Sequence, residues 1–288
     1  MSATDLPGTK SVVDLHTHTI CSDGTLTPTQ LIELASATGL QMVGITDHDS
    51  VAGIAEASTA ADAHGISLVP GVELSSSVEG QELHLLGYFV DVTNAGFFAQ
   101  LNELAGRRET RAYQMVQRLN DRGITVGFDQ VKALAGSGSI GRPHVARALI
   151  DEGIVSSVSE AFDRFLSKGK SGYVPRARFE PEDAIQLVLK AGGVPVLAHP
   201  LTTGDPERVA RRLQPLGLRG FEVYYSEYNA QTQRELRDIA HELGLIPTGG
   251  SDFHGPNFRP GRDLGRPVVP IETVSLLRQA AASAPDVE

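Results

Sequence analysis

Nine residues of one chemical sort are spread along the 288-residue chain: His16, His18, Asp23, His48, Glu73, His84, His199, Asp252 and His254. Imidazoles mixed with carboxylates, without thiolate neighbours, suit Zn, Mn or Fe. Nine donors are too many for one ion, so two or three divalent ions are implied. A carboxylate such as Glu73 or Asp252 can bridge neighbouring ions, and bridged ions hold a hydroxide at neutral pH while neutralising charge on a phosphate oxygen. That is equipment for hydrolysis. His16 and His18 close an apolar run, and in an extended chain positions i and i+2 face one side, so both rings address one place. Asp14 is expected to face the other way. Asp47 and Asp49 are expected to orient imidazoles or to cap a helix beginning near Val51. These three acids therefore stay outside the ligand set. His64 and His241 read as solvated residues near helix ends, and the lone Cys21 as incidental.

The elements that must position these residues alternate. Strands are predicted over Ser11 to Leu15, Gln41 to Thr46, Ser67 to Val72 and Glu82 to Val90, with helices over Pro28 to Thr38 and Val51 to His64 and a turn at Glu79-Gly80. From Phe97 to about Lys168 strand signals vanish, and helices are expected over Phe97 to Asp121, Phe128 to Leu134, Pro143 to Asp151 and Ser159 to Leu166. Alternation then resumes: helix Pro181 to Ala191, strand Val194 to Ala198, helix Pro206 to Leu213, strand Gly220 to Tyr224, helix Ala230 to Leu243 and strand Leu245 to Thr248. Seven strands mostly alternating with helices point to an α/β fold, with a barrel formed by residues 10–95 and 176–288 and an all-helical insertion at 96–175. Most of the candidate ligands fall at strand ends, and His84 lies inside the fourth strand. In parallel α/β folds the C-terminal strand ends converge on one face, where distant residues meet.

Composition limits the function classes. Hydrophobic residues make up 41% and charged residues 21%, ordinary for a globular protein. The apolar runs are too short to span a bilayer, no basic-then-apolar leader opens the chain, and a single cysteine forms no intramolecular disulfide; a cytoplasmic protein is expected. The net charge of −10 argues against an anionic substrate, but residues 97–178 hold 13 Lys and Arg against 8 Asp and Glu. The middle is basic and the flanks acidic.

The set His16-Thr-His18 with Ser22-Asp23-Gly24, Thr46-Asp47-His48-Asp49, Gly71-Val72-Glu73, His84, Ala198-His199-Pro200 and Gly250-Ser251-Asp252-Phe253-His254 resembles the PHP (polymerase and histidinol phosphatase) domain. The resemblance implies a distorted seven-stranded βα barrel of the amidohydrolase-like group with a trinuclear metal site. It implies one ion on His16, His18, Glu73 and Asp252, a second on Glu73, His84 and His199, and a third on Asp23, His48 and His254. By the same resemblance Asp252, His254 and His199 stand at the reacting centre. The stretches Gly141-Arg142-Pro143-His144-Val145-Ala146 and Phe165-Leu166-Ser167-Lys168-Gly169-Lys170 are similar to those of small bacterial PHP phosphoesterases acting on nucleoside 3′,5′-bisphosphates and monophosphates, some of which trim short RNA from its 5′ end. Arg142 offers a planar fork at a helix start, where N–H groups also favour anions. His144, Lys168 and Lys170 join it as expected phosphate contacts. The expected reaction is removal of the 3′-phosphate of a nucleoside 3′,5′-bisphosphate by a metal-bridging hydroxide, with AMP and short RNA as further substrates. A histidinol-phosphate phosphatase gives no work to the extra cations, and a non-catalytic metal-binding regulatory domain gives none to a full ligand set. No stable protein partner and no membrane are indicated.

Overall fold

The computed structural model describes residues 12–78, 81–256 and 258–283. Seven strands form one sheet in sequence order: β1 Val13–Thr17, β2 Met42–Ile45, β3 Ser67–Val78, β4 Gln81–Tyr88, β5 Val194–Leu197, β6 Gly220–Tyr225 and β7 Ile246–Gly250. Neighbours are parallel except at β4, which runs antiparallel to β3 and β5. Beyond β7, Phe253 bridges to Thr17 and its carbonyl accepts the His18 N–H at 2.8 Å, so the sheet curls into a nearly closed barrel. Strands β1, β5 and β6 are buried along their whole length, as strands covered on both faces must be.

Helices α1 Pro28–Thr38 and α2 Ile54–His64 make the first crossovers; α3 Ala95–Asn120, α4 Phe128–Ala135, α5 Arg142–Asp151 and α6 Val158–Ala161 follow β4, with a π-helical turn at Phe162–Leu166; α7 Pro181–Lys190, α8 Pro206–Leu213, α9 Ala230–Glu242 and α10 Glu272–Ala282 complete the chain. Local chemistry sets the ends of α1. Thr27 Oγ1 accepts the Gln30 N–H while Gln30 accepts the Thr27 N–H, Pro28 pre-sets the first turn, and Gly39 takes the left-handed φ of 86° that stops it.

Two apolar clusters result. The larger fills the barrel and its surrounding helices, and the smaller is built by Ala112, Val116 and Leu119 of α3 with α4, α5, α6 and the turn after it. The long α3 belongs to both, because Phe97, Leu101 and Leu104 pack into the barrel cluster. Helix α3 thus spans the boundary expected at residue 96 and packs on both clusters.

Most elements lie within two residues of expectation, and three differences matter more. Strand β3 runs on to Val78, because antiparallel β4 supplies ladder partners to the polar Ser75-Ser76-Ser77. Helix α2 starts at Ile54, after Gly53 at its cap. Helix α10 had no expectation; it buries Thr273, Val274 and Leu277. The expected turn at Glu79-Gly80 and the strand start at Ser11 lie outside the described residues. Among the described residues no helix is long and apolar enough to cross a membrane.

Candidate metal centre

The nine candidate ligands meet at one end of the barrel. His16 is on β1 with His18 just past it, His48 follows β2, and a bridge between His48 and Glu73 continues the β2–β3 pairing. The antiparallel β4 presents His84 midway along its length, opposite Ser75 and next to Leu85, which pairs with Leu197 at the end of β5. His199 follows β5; Asp252 and His254 follow β7. The backbone bends hard to aim them: His199 has φ 25°, Asp252 φ 54° and Asp49 φ 50°. Left-handed backbone at non-glycine positions costs about 1–3 kcal/mol each and collects where the surroundings need a side chain in one direction.

Glu73 is the hub. Its Oε2 lies 3.3, 3.2 and 3.1 Å from His16 Nε2, His18 Nε2 and His48 Nδ1. Its Oε1 lies 2.7 Å from His84 Nδ1 and 3.0 Å from His199 Nε2. The two oxygens thus face two different groups of imidazoles. Asp252 Oδ1 is 3.2 Å from His18 Nε2 and 3.5 Å from His16 Nε2; Asp23 Oδ1 is 3.3 Å from His254 Nε2. Three sets have donor atoms within 4.8 Å of one another: His16, His18, Glu73 and Asp252; His18, Asp23, His48 and His254; and His48, Glu73 and His84. The middle set adds His18 to the expected trio. The last takes His48 where His199 is expected, while His199 keeps its place on Glu73.

Charge is balanced tightly. Burial opposes ionisation of Glu73, yet His48, His84 and His16 hold its carboxyl well below the usual range; His254 and His48 do so for Asp23, and Arg262 and His16 for Asp252. Burial alone would lower the histidines, and it does lower His48 and His84. His16 is instead pushed well above its ordinary value by Glu222, Asp252 and Glu73, His18 is raised to about 10 by Asp252 and Glu73, and Glu73 also raises His199.

These residues fit divalent cations. His16 Nε2, His18 Nε2, Asp23 Oδ1, His48 Nδ1, Glu73 Oε2 and His84 Nε2 are all buried without a hydrogen-bond partner. Buried polar atoms are almost always paired, so six such atoms converging on one place mark ligand positions. The outer partners support the same use. Glu222, fully buried on β6, accepts from His16 Nδ1 at 2.9 Å, which leaves Nε2 turned inward, and it accepts the His199 N–H at 2.6 Å. Tyr225 donates its hydroxyl to Asp252 Oδ2 at 2.8 Å, and Arg262 pairs with the same oxygen.

The acids set apart from the ligand set are otherwise engaged. Strand alternation gives Asp14 the same side as His16, so direction does not exclude it as expected; its oxygens are taken by the N–H groups of Ser251 and Gly265 at 2.9 and 2.8 Å. Asp47 accepts from Thr19 and Ser22, fixing the loop that carries Asp23, and Asp49 pairs with Arg108. Neither caps α2, which has no side-chain cap.

The expected phosphate contacts are placed unevenly. Arg142 opens α5, and its Nη2 lies 2.5 Å from Glu82 Oε2, so its fork has a carboxylate partner already. Arg111 Nη2 and Arg176 Nε reach the other oxygen of Glu82 at 3.0 and 3.3 Å. Burial opposes the Glu82 charge, but Arg176, Arg142 and Arg111 hold it far below the usual range. His144 is buried and its Nδ1 accepts the Gly141 N–H at 3.0 Å. Lys168 and Lys170 are exposed. A cavity of about 460 Å³ between α3, α4 and the loop before α5 is lined by none of the nine.

Sequence reasoning missed Glu222, Tyr225 and Arg262 around the ligands, and Glu82, Arg111 and Arg176 beside them. A signal existed for two. Glu222 is an acid inside an apolar strand, and Glu82 stands two residues before His84 and so shares its side. Nothing in spacing brings Arg111 to Arg176.

A nearly closed βα barrel with this ligand array at its mouth defines a metal-dependent hydrolase. The PHP domain model matches residues 14–174. A 5′-3′ exoribonuclease of Haemophilus influenzae is 36% identical over 266 residues, 90% of this chain and 97% of its own. A 3′,5′-nucleoside bisphosphate phosphatase of Chromobacterium violaceum is 36% identical over 258 residues, 88% of this chain and 90% of its own. A solved structure from Bifidobacterium adolescentis, provisionally named a metal-dependent phosphoesterase, superimposes with a TM-score of 0.86 at 32% identity, covering 96% of this chain and 98% of that one. The chain belongs to the PHP domain family, and it is a metal-dependent phosphoesterase.

Proposed function

We propose that the enzyme removes the 3′-phosphate of nucleoside 3′,5′-bisphosphates, and that the nine ligands hold two or three divalent ions for this purpose. AMP and short 5′-phosphorylated RNA are further substrates, and the setting is cytoplasmic. The observation that carries the reading is a second cluster of opposite character beside the ligands. Glu82 and His84 are two apart on β4, about 7 Å along one side of the strand. The arginines around Glu82 therefore gather on the same side of β4 as His84. Of the two named relatives one is, by its name, a 5′-3′ exoribonuclease and the other a 3′,5′-nucleoside bisphosphate phosphatase.

Divalent ions bound there supply Lewis-acid charge to phosphate oxygens and lower the pKa of water. The chain's own residues do the rest. Glu73 divides its oxygens between two imidazole groups and so ties neighbouring positions together. Tyr225 and Arg262 hold Oδ2 of Asp252, leaving Oδ1 toward His16 and His18. In hydrolysis water adds to phosphorus, the ester P–O bond breaks, and the nucleoside hydroxyl and inorganic phosphate leave. Arg142, with Arg111 and Arg176, holds the other phosphate; Lys168 and Lys170 add charge outside; His144 acts by holding Gly141 at the head of α5.

The test is metal-reconstituted turnover of adenosine 3′,5′-bisphosphate, AMP, a 5′-phosphorylated RNA and histidinol phosphate, read by phosphate or nucleotide release. The bisphosphate is expected to have the highest kcat/KM. Histidinol phosphate ahead by orders of magnitude would sink the reading.

A further inference from the structure

We infer that Glu82 decides which 5′ end the enzyme accepts, admitting a single terminal phosphate and turning away 5′-di- and triphosphates. The inference rests on the nucleotide reading above. Three guanidinium groups converge on one carboxylate: Arg111 Nη2 and Arg176 Nε lie 3.0 and 3.3 Å from Oε1, and Arg142 Nη2 lies 2.5 Å from Oε2. Three positive charges against one negative leave a net of two, which matches one phosphate monoester dianion. Without Glu82 the same forks would suit a more highly charged polyphosphate.

Position acts in the same direction. With Arg108, these arginines line one narrow cleft. A second phosphoryl group held by the same guanidinium groups brings further negative charge toward the Glu82 carboxylate they already share, where like charges repel. Two of the three arginines have holds besides Glu82. Arg111 Nε donates to the Val174 carbonyl at 2.9 Å and its guanidinium lies over the Tyr173 ring, while Arg142 lies over Phe162 at 5.3 Å. The charge of Glu82 can thus be removed with these two arms still braced.

The experiment compares kcat/KM of the metal-loaded enzyme for adenosine 3′-phosphate carrying a 5′-monophosphate or a 5′-triphosphate, in the wild type, Glu82→Gln and Glu82→Asp. The wild type is expected to favour the monophosphate by about 10-fold or more, the scale of one charged contact. Glu82→Gln should bring the ratio close to one, mainly through KM for the triphosphate. Glu82→Asp, which keeps the charge, should retain the preference, and equal melting temperatures show that the variants fold. An unchanged ratio in Glu82→Gln, or a proportional fall for both substrates, overturns the inference, as does a wild type without preference. Absence of 3′-phosphate release from either substrate by the wild type would instead overturn the nucleotide reading.

Discussion

The histidine cluster and the arginine cluster stand side by side, yet they are finished to different degrees. Around Glu73 the chain leaves six buried polar atoms without hydrogen-bond partners, whereas around Glu82 the forks of Arg111 and Arg142 already have a carboxylate. The first arrangement is complete only with cations added. In the second only Arg176 Nε is buried without a hydrogen-bond partner among the described residues, and an anion entering it competes with a carboxylate already there. The difference teaches how one site treats two charges. The candidate cation positions are strained and unsatisfied, with His199 and Asp252 at positive φ, while the arginine cluster holds one carboxylate counter-charge and stays net positive.

The sharpest way to break this contrast is Asp252→Ala. If the histidine side works only with its cations, turnover of every phosphate ester should fall by more than about 10³-fold, and elemental analysis should find less bound metal per chain. Full activity or undiminished metal would end the ligand assignment. Next in size is removal of the metals. Ions at 100 times their Kd stabilise a fold by about 2.7 kcal/mol, and in a chain of this size that is a melting shift of about 5–10 °C, so scanning calorimetry with and without a chelator should show a drop of that order. No drop would mean that the six unpartnered atoms are not ligands.

On the arginine side the effect should be smaller and selective. Arg142→Ala is expected to raise KM for the bisphosphate by about 10- to 100-fold with kcat little changed, and steady-state kinetics that show a fall in kcat alone would contradict a binding role. The smallest expected effect is on stability. Burial lowers the pKa of His144 from 6.5, against the pull of Asp23, so the folded chain favours the neutral ring. The unfolded chain then takes up the proton first. This contribution is intact above about pH 6.5 and is lost as pH falls toward the folded value. His144→Gln, which keeps an acceptor for Gly141, should flatten the acid limb of melting temperature against pH; an unaltered limb would show that His144 contributes nothing there.

Much of the barrel was legible because its strands are short, apolar and separated by glycine-stopped helices such as α1, whose bounds match the expectation residue for residue. Strand β3 was read too short because serines in a ladder look like loop until the antiparallel partner is known. The nine candidate ligands were legible because residue type and strand-end position coincide, and the structure brings all nine together. The arginine cluster was not. Arg111 and Arg176 are 65 positions apart on a helix and a loop, and only packing of α3 against β4 and the segment after Tyr173 sets both on Glu82.

The sequence by itself determined the donor types, their order and the strands that carry them, since alternation and strand ends are local properties of the chain. The tertiary structure alone decided which imidazoles share which oxygen of Glu73, and that Arg142 meets a carboxylate rather than open solvent. Those are matters of distance between segments, which closure of the barrel and the path of α3 settle and local spacing does not contain.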